Sequence, residues 1–154
     1  MTEPLEERLD RLSRRLRAAG GRVTSERLAI LRVLAADESH PSADTIYRRV
    51  AAELPSISLA TVYKTLTTLQ RMGEVLELTA VQGECRYDGM RPEPHPHLIC
   101  TRCGSIANLA LEDVEVLLRL AALPAGQWTL TTRVDFWGYC PQCCAEVSGD
   151  TRPE

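Results

Sequence analysis

Ser58-Leu-Ala-Thr-Val-Tyr-Lys-Thr-Leu-Thr-Thr-Leu-Gln-Arg-Met-Gly73 is the stretch from which the rest of the chain can be read. Ser58 suits a helix N-cap, Leu59, Val62, Leu66 and Leu69 recur at spacings of three, four and three, and Gly73 supplies the stop. The opposite face carries Thr61, Tyr63, Lys64, Thr65, Thr68 and Arg71. After Gly73 the period shortens to two β-like runs, Glu74 to Thr79 and Glu84 to Tyr87, joined through Gln82-Gly83 as a small hairpin.

Working back from Ser58, three more helices precede this one. Leu5 to Ala19 places Leu5, Leu9, Leu12 and Leu16 on one stripe with arginines on the other faces, and Gly20-Gly21 ends it. Thr24 caps a second, with Leu28, Leu31 and Leu34 inward, up to the polar break Asp37-Glu38-Ser39-His40-Pro41. The third runs from Ser42 to about Leu54 with Ile46, Val50 and Leu54 as its apolar edge, closed by Pro55. Helices followed by a hairpin predict a winged helix-turn-helix. In such a fold the Ser58–Gly73 helix would enter a major groove, where Thr61 and Tyr63 can touch bases and sugars and Lys64 can neutralise phosphate.

The charge distribution agrees with that reading better than the net charge does. The 154-residue chain carries −3 overall. Residues 1–88 hold thirteen basic and thirteen acidic side chains, whereas residues 89–154 hold five and eight. Residues 8–32 contain eight arginines against only Asp10 and Glu26, a local basic surface that matters more for phosphate attraction than the sum. The acidic start Met1-Thr-Glu-Pro-Leu-Glu-Glu-Arg8 does not resemble a secretory signal, and no apolar run approaches a membrane span. A cytoplasmic protein with no membrane partner is therefore expected.

Asp88 to His97, Asp-Gly-Met-Arg-Pro-Glu-Pro-His-Pro-His, is a proline-rich connector of the kind found between domains. The division expected is a DNA-binding domain over 1–88, a hinge over 89–94, a second domain over 95–148 and a tail over 149–154. Short strands are expected near Pro96–Cys100 and Ser105–Leu109, a helix over Glu112–Ala122 with Val114, Leu117, Leu118 and Ala121 as its apolar stripe, and a strand over Trp128–Phe136.

Six cysteines in a chain without an export signal point to metal or redox chemistry. Cys100-Thr-Arg-Cys103 and Cys140-Pro-Gln-Cys143 are two C-x-x-C knuckles, which together can surround Zn²⁺ with four thiolates and leave no open position, the pattern of a structural ion. The competing reading makes one pair a redox dithiol, a motif expected at a helix N-terminus within a βαβ unit, which the sequence does not suggest. Cys144 follows the second knuckle directly, and Cys85 falls in the hairpin, where packing is its expected role.

The three histidines are His40, His95 and His97. Residues i and i+2 of an extended strand share a side, so His95 and His97 can reach one ion, with Asp88 a short connector upstream and His40 ahead of the third helix. Imidazoles with a carboxylate suit Fe²⁺, Mn²⁺ or Zn²⁺. The alternative leaves His40 on a surface turn and the pair solvated in the linker.

His40-Pro-Ser-Ala-Asp-Thr-Ile-Tyr47, Ile57-Ser-Leu-Ala-Thr-Val-Tyr-Lys-Thr-Leu66, Arg86-Tyr-Asp88, His95-Pro-His-Leu-Ile-Cys-Thr-Arg-Cys-Gly104 and Gly138-Tyr-Cys-Pro-Gln-Cys143, in this order, resemble the Fur family of metal-dependent bacterial repressors, most closely its peroxide-responsive branch. The resemblance covers nearly the whole chain. It implies an α+β protein, with an N-terminal winged helix-turn-helix followed by a small α/β dimerisation domain, and a regulator rather than an enzyme. It further implies a homodimer on palindromic operator DNA, structural zinc at Cys100, Cys103, Cys140 and Cys143, and regulatory Fe²⁺ or Mn²⁺ at His40, Asp88, His95 and His97. Where the family has a carboxylate after the first knuckle this chain has Asn108, a neutral and weaker donor. A further metal site of some members wants an acid near Pro96 and a histidine near Arg133, and neither is present, so one regulatory site is expected. A zinc-uptake repressor is the rival within the family, disfavoured because Asp88 is an oxygen donor. Outside it stand a thiol-based redox protein using the C-terminal C-x-x-C, and a zinc-stabilised module that binds protein instead of DNA.

Overall fold

The computed structural model describes residues 3–79, 83–109 and 133–148. They divide into two compact units, one holding the described residues up to Glu93 and the other those from Pro94 onward. The expected helix over 112–122 with its apolar stripe, the first part of the strand expected over 128–136, and the tail over 149–154 lie outside the described residues. Among the described residues no helix is long and apolar enough to cross a membrane.

In the first unit α1 (Leu5–Ala18), α2 (Ser25–Ala36), α3 (Ala43–Glu53) and α4 (Leu59–Arg71) precede a hairpin of β1 (Leu76–Thr79) and β2 (Cys85–Asp88). Three of the helix starts are written locally. Thr24 Oγ1 accepts from Arg27 N at 3.3 Å, Ser42 Oγ from Thr45 N at 3.2 Å, and Ser58 Oγ from Thr61 N at 3.1 Å, each satisfying a first-turn N–H with no partner within its helix. At the end of α4, Gly73 takes φ +68°, and Gly73 N and Glu74 N donate to the carbonyls of Gln70 and Leu69 at 3.0 and 2.9 Å, a Schellman closure that points the chain into β1. Leu9, Leu12, Ile30, Leu31, Leu34, Ile46, Val50, Val62, Leu66 and Leu69 fill one core, which Val75 and Tyr87 of the hairpin region join.

The hairpin is antiparallel, with Leu76 opposite Asp88 and Thr79 opposite Cys85. On the other side of β2, Tyr87 N donates to Pro41 O at 3.1 Å and Ser42 bridges Arg86, so the chain entering α3 lies along β2. That contact brings His40 beside Asp88.

Several surface assignments change. Thr65 is not on the polar face of α4: it is buried, its hydroxyl donating to Thr61 O at 2.8 Å. Leu59, at the first turn of α4, is exposed. The basic surface of residues 8–32 is partly neutralised from within. Glu74, 1% exposed, accepts two hydrogen bonds from Arg11 at 2.9 and 3.0 Å and an ion pair from Arg15, while Arg15 also donates to Met72 O at 2.9 Å. Arg8 is buried and donates to the Gly89 carbonyl, and its burial lowers its pKa. Gly89 itself admits no side chain, since a Cβ there would lie 2.7 Å from Leu34 Cβ and 2.9 Å from Leu34 O. Thus α1 holds both the turn after α4 and the turn after Asp88. Glu74→Gln removes the charge that two arginines converge upon, and an expected loss of about 2 kcal/mol should appear as a lower urea midpoint at constant m-value.

The second unit contains β3 (His97–Cys100), β4 (Ile106–Asn108), β5 (Asp135–Gly138) and α5 (Pro141–Ser148), with sheet order β4-β3-β5. β3 and β4 are antiparallel, with His97 opposite Asn108; β3 and β5 are parallel, with His97 opposite Asp135 and Cys100 opposite Gly138. β5 thus continues two residues past the expected end at Phe136. This register carries β3 and β5 out of the same sheet edge, and each delivers a cysteine knuckle.

Candidate metal centres

The first knuckle is the β3–β4 turn, closed by Gly104 N donating to Cys100 O at 3.0 Å and Cys100 N to Ser105 O at 2.9 Å. The second opens α5, with Cys140 just before Pro141 and Cys144 N donating to Cys140 O at 2.8 Å. This corrects one expectation, because the second C-x-x-C does sit at a helix N-terminus, although the parallel neighbour β3 brings the other pair of sulfurs to it.

The four sulfurs of Cys100, Cys103, Cys140 and Cys143 lie within 4.8 Å of one another, and those of Cys103 and Cys140 are 3.7 Å apart. A tetrahedron of Zn–S bonds near 2.3 Å has edges of about 3.8 Å, whereas a disulfide needs sulfurs about 2.05 Å apart. All four are free thiols that fit a closed zinc shell. The backbone contributes as well: N–H groups of Cys103 and then Cys140 aimed at Cys100 Sγ bring its pKa down to about 6, and Ser105 lowers that of Cys103. Cys143 goes the other way, pushed up to about 12 by burial and by the neighbouring sulfurs. Four clustered thiols cannot all ionise without a compensating cation, which is what a divalent metal provides. Cys144 is exposed; Cys85 packs beside the core, and its thiol, 3.5 Å from Glu77 Oε1, is raised by burial.

The remaining candidate ligands are built separately in the two units. In the first, His40 is not a surface turn residue: it is buried at φ +54°, a left-handed conformation, and its Nε2 lies 3.2 Å from Asp88 Oδ2. Asp88 is also buried, and its Oδ1 accepts from the backbone N–H groups of Met90 and Arg91 at 2.8 Å each, fixing the carboxylate where β2 ends. In the second, His95 and His97 are both buried, their rings 4.3 Å apart between centroids, so the solvated-linker alternative does not hold. Asn108 Oδ1 lies 2.9 Å from His95 Nε2, which puts the amide beside the imidazole pair. The donor sets, imidazole with carboxylate in one unit and two imidazoles with an amide oxygen in the other, suit a borderline divalent ion.

On α4, Tyr63 is 49% exposed and Lys64 is exposed, while Thr61 is half-buried with its hydroxyl 2.9 Å from that of Ser58. Of these three, Tyr63 and Lys64 face outward, as Thr67, Gln70 and Arg71 do further along α4, while Thr61 is drawn into the cap.

Residues 18–136 match the model of the Ferric uptake regulator family. The chain belongs to that family. It is 35% identical over 141 residues to the peroxide-responsive repressor PerR of Staphylococcus aureus, covering 92% of this chain and 95% of that protein. The Campylobacter jejuni peroxide stress regulator is 34% identical with a TM-score of 0.64, covering 88% of this chain and 98% of the other. The Helicobacter pylori ferric uptake regulator Fur, 23% identical, shares the fold at a TM-score of 0.79 over 93% and 95% of the two chains. Members of the ferric uptake regulator family are regulators, and the α+β architecture found here is theirs.

One residue of the second centre went unread in the sequence. Asp135 Oδ1 lies 3.4 Å from His97 Nδ1. Its signal was positional: counting back three residues from Cys100 and from Gly138, its partner across β3–β5, reaches His97 and Asp135 together.

Proposed function

We propose that this chain is a metal-dependent DNA-binding repressor of the peroxide-responsive kind, homodimeric on a palindromic operator and resident in the cytoplasm. Cys100, Cys103, Cys140 and Cys143 hold a structural Zn²⁺ that maintains the second unit. His40 and Asp88 from one unit, with His95, His97 and Asn108 from the other, hold one exchangeable Fe²⁺ or Mn²⁺. The observation that carries this reading is that every histidine of the chain is buried, each next to another candidate ligand. Leu98, Phe136 and Trp137, exposed on the sheet, support a second copy as partner.

The mechanism is linkage. Ligands contributed by both units favour one arrangement of the first unit relative to the second, and hence one spacing of the two α4 helices across a palindrome. Asp88 is anchored by the Met90 and Arg91 amides and Gly89 by Arg8, so the ligands of the first unit are tied to α1 and, through Glu74, to the turn after α4. Ferrous ion, when bound, supplies the chemistry by which hydrogen peroxide oxidises a ligand imidazole. A ligand lost in this way releases the arrangement, and the DNA with it. With Asp88 the only carboxylate in the set, the occupied site would keep a net positive charge, so Asn108 weakens retention of the ion relative to a carboxylate there.

The test is selection of duplexes from a random-sequence pool with Mn²⁺ present, followed by affinity measurements with Mn²⁺ and with EDTA across a salt series. A selected palindrome, bound more tightly with Mn²⁺, is expected; no salt-dependent DNA affinity in either condition would defeat the reading. In the same assay Lys64→Ala is expected to weaken all duplexes alike and to reduce the salt slope by about 2, as the loss of one phosphate contact from each protomer of the dimer does.

A further inference from the structure

Asp135 opens β5 in register with His97, and in a parallel pair residues opposite one another carry their side chains on the same face of the sheet. Its two carboxylate oxygens are used differently. Oδ2 is fixed by Arg133, whose Nε lies 2.7 Å away, whereas Oδ1 is buried, 3.4 Å from His97 Nδ1, and accepts no hydrogen bond from the described residues. At that distance a small rotation of the imidazole aligns an Nδ1–H with Oδ1. The His97 side chain is fully buried, so a fixed carboxylate on one edge of the ring decides which nitrogen carries the proton.

We propose that Asp135 is the positioning residue of the exchangeable metal site: its Oδ1 accepts the proton of His97 Nδ1, which sets the tautomer, orients the ring and directs the lone pair of Nε2 at the ion. Arg133 holds the carboxylate in place through the other oxygen. A carboxylate behind a ligating imidazole also makes the ligating nitrogen more basic, and this strengthens the site without adding a ligand. The inference rests on the reading of His97 as a ligand, and it supplies a negative group behind the site on β5, which flanks β3 on the side opposite β4 and its Asn108.

The experiment uses the full zinc-loaded chain and Mn²⁺ as probe. Asp135→Ala is expected to weaken Mn²⁺ binding by about 10- to 100-fold while keeping one chelator-resistant zinc per chain and an unchanged thermal midpoint in the absence of Mn²⁺, and Asp135→Glu is expected to recover part of the loss. In the ¹⁵N imidazole spectrum of the manganese-free wild type, His97 should carry its proton on Nδ1. This second measurement needs no variant to fold. Wild-type Mn²⁺ affinity in Asp135→Ala, with binding lost in His97→Ala, would overturn the proposal and leave the site standing. His97 protonated on Nε2 in the wild type would overturn it as well. Mn²⁺ binding unaffected by either substitution would remove His97 as a ligand, and the proposal with it.

Discussion

Cys143→Ser protein is expected to lose its chelator-resistant zinc and, with it, the cooperative folding of the second unit. The described strands of that unit are three or four residues long, and among their side chains Ile99 and Ile106 are the buried aliphatics. Strands so short do not hold together by pairing alone. Beside the exposed Arg102–Glu146 ion pair and the hydrogen bonds of Thr101 to Gly138 O, what joins the β3–β4 turn to the start of α5 is the convergence of four sulfurs, and a structural zinc contributes about 10–16 kcal/mol, comparable with the whole stability of an ordinary domain. Cys143 is buried, as Cys100 is, and burial pushes its thiol up to about 12, so a hydroxyl there leaves a site of three sulfurs with a poor fourth donor. The first unit has a core of its own and should survive. Zinc per chain should therefore fall from one to near zero while much of the helical circular dichroism persists and the thermal transition broadens. A variant that keeps a full zinc equivalent, or one that loses zinc but unfolds as the wild type does, would contradict the structural role assigned to the four cysteines.

The second large effect is expected from His40→Ala. His40 is held at positive φ between Pro41, which lies along β2, and Asp88, so its ring is presented by the first unit alone. Removing it takes one ligand from the proposed ion and leaves the zinc shell and α4 untouched. Allosteric coupling in proteins is typically about 1–3 kcal/mol, or about 5- to 150-fold in affinity. The wild type should gain DNA affinity within that range when Mn²⁺ is added, and His40→Ala should gain none, while both bind DNA equally in EDTA. Titration of the selected duplex with and without Mn²⁺ reads this directly. An undiminished metal response in the variant would remove His40, and the first unit's share, from the site.

What was legible in the sequence was what local chemistry specifies. Ser58 and Thr24 cap the helices that follow them because the bond is made three residues away, and the 100–103 and 140–143 knuckles declare themselves by spacing, whereas Ser42 proves to be the cap of its helix and not the first residue. The misreadings concern partners distant in the chain. Arg8 looks like one of eight surface arginines until its acceptor, the carbonyl of Gly89, is known, and Arg11 and Arg15 find their carboxylate at Glu74. Thr65 ranks as polar on a helical wheel, yet its hydroxyl is satisfied by the carbonyl one turn back, which lets the residue be buried. His40 depends on the backbone lying along β2, and Asp135 on a parallel register that no short-range pattern encodes.

One ion is expected to be fixed in the chain, and a second, exchangeable one to respond to conditions. Metal content per chain, measured on anaerobically purified protein before and after EDTA and again after addition of Mn²⁺ or Fe²⁺, tests this most directly. One zinc that survives the chelator and one further equivalent taken up on addition are expected. Zinc alone, with no second ion bound at any concentration tested, would contradict this and would mean that the buried histidines serve the fold and not a metal.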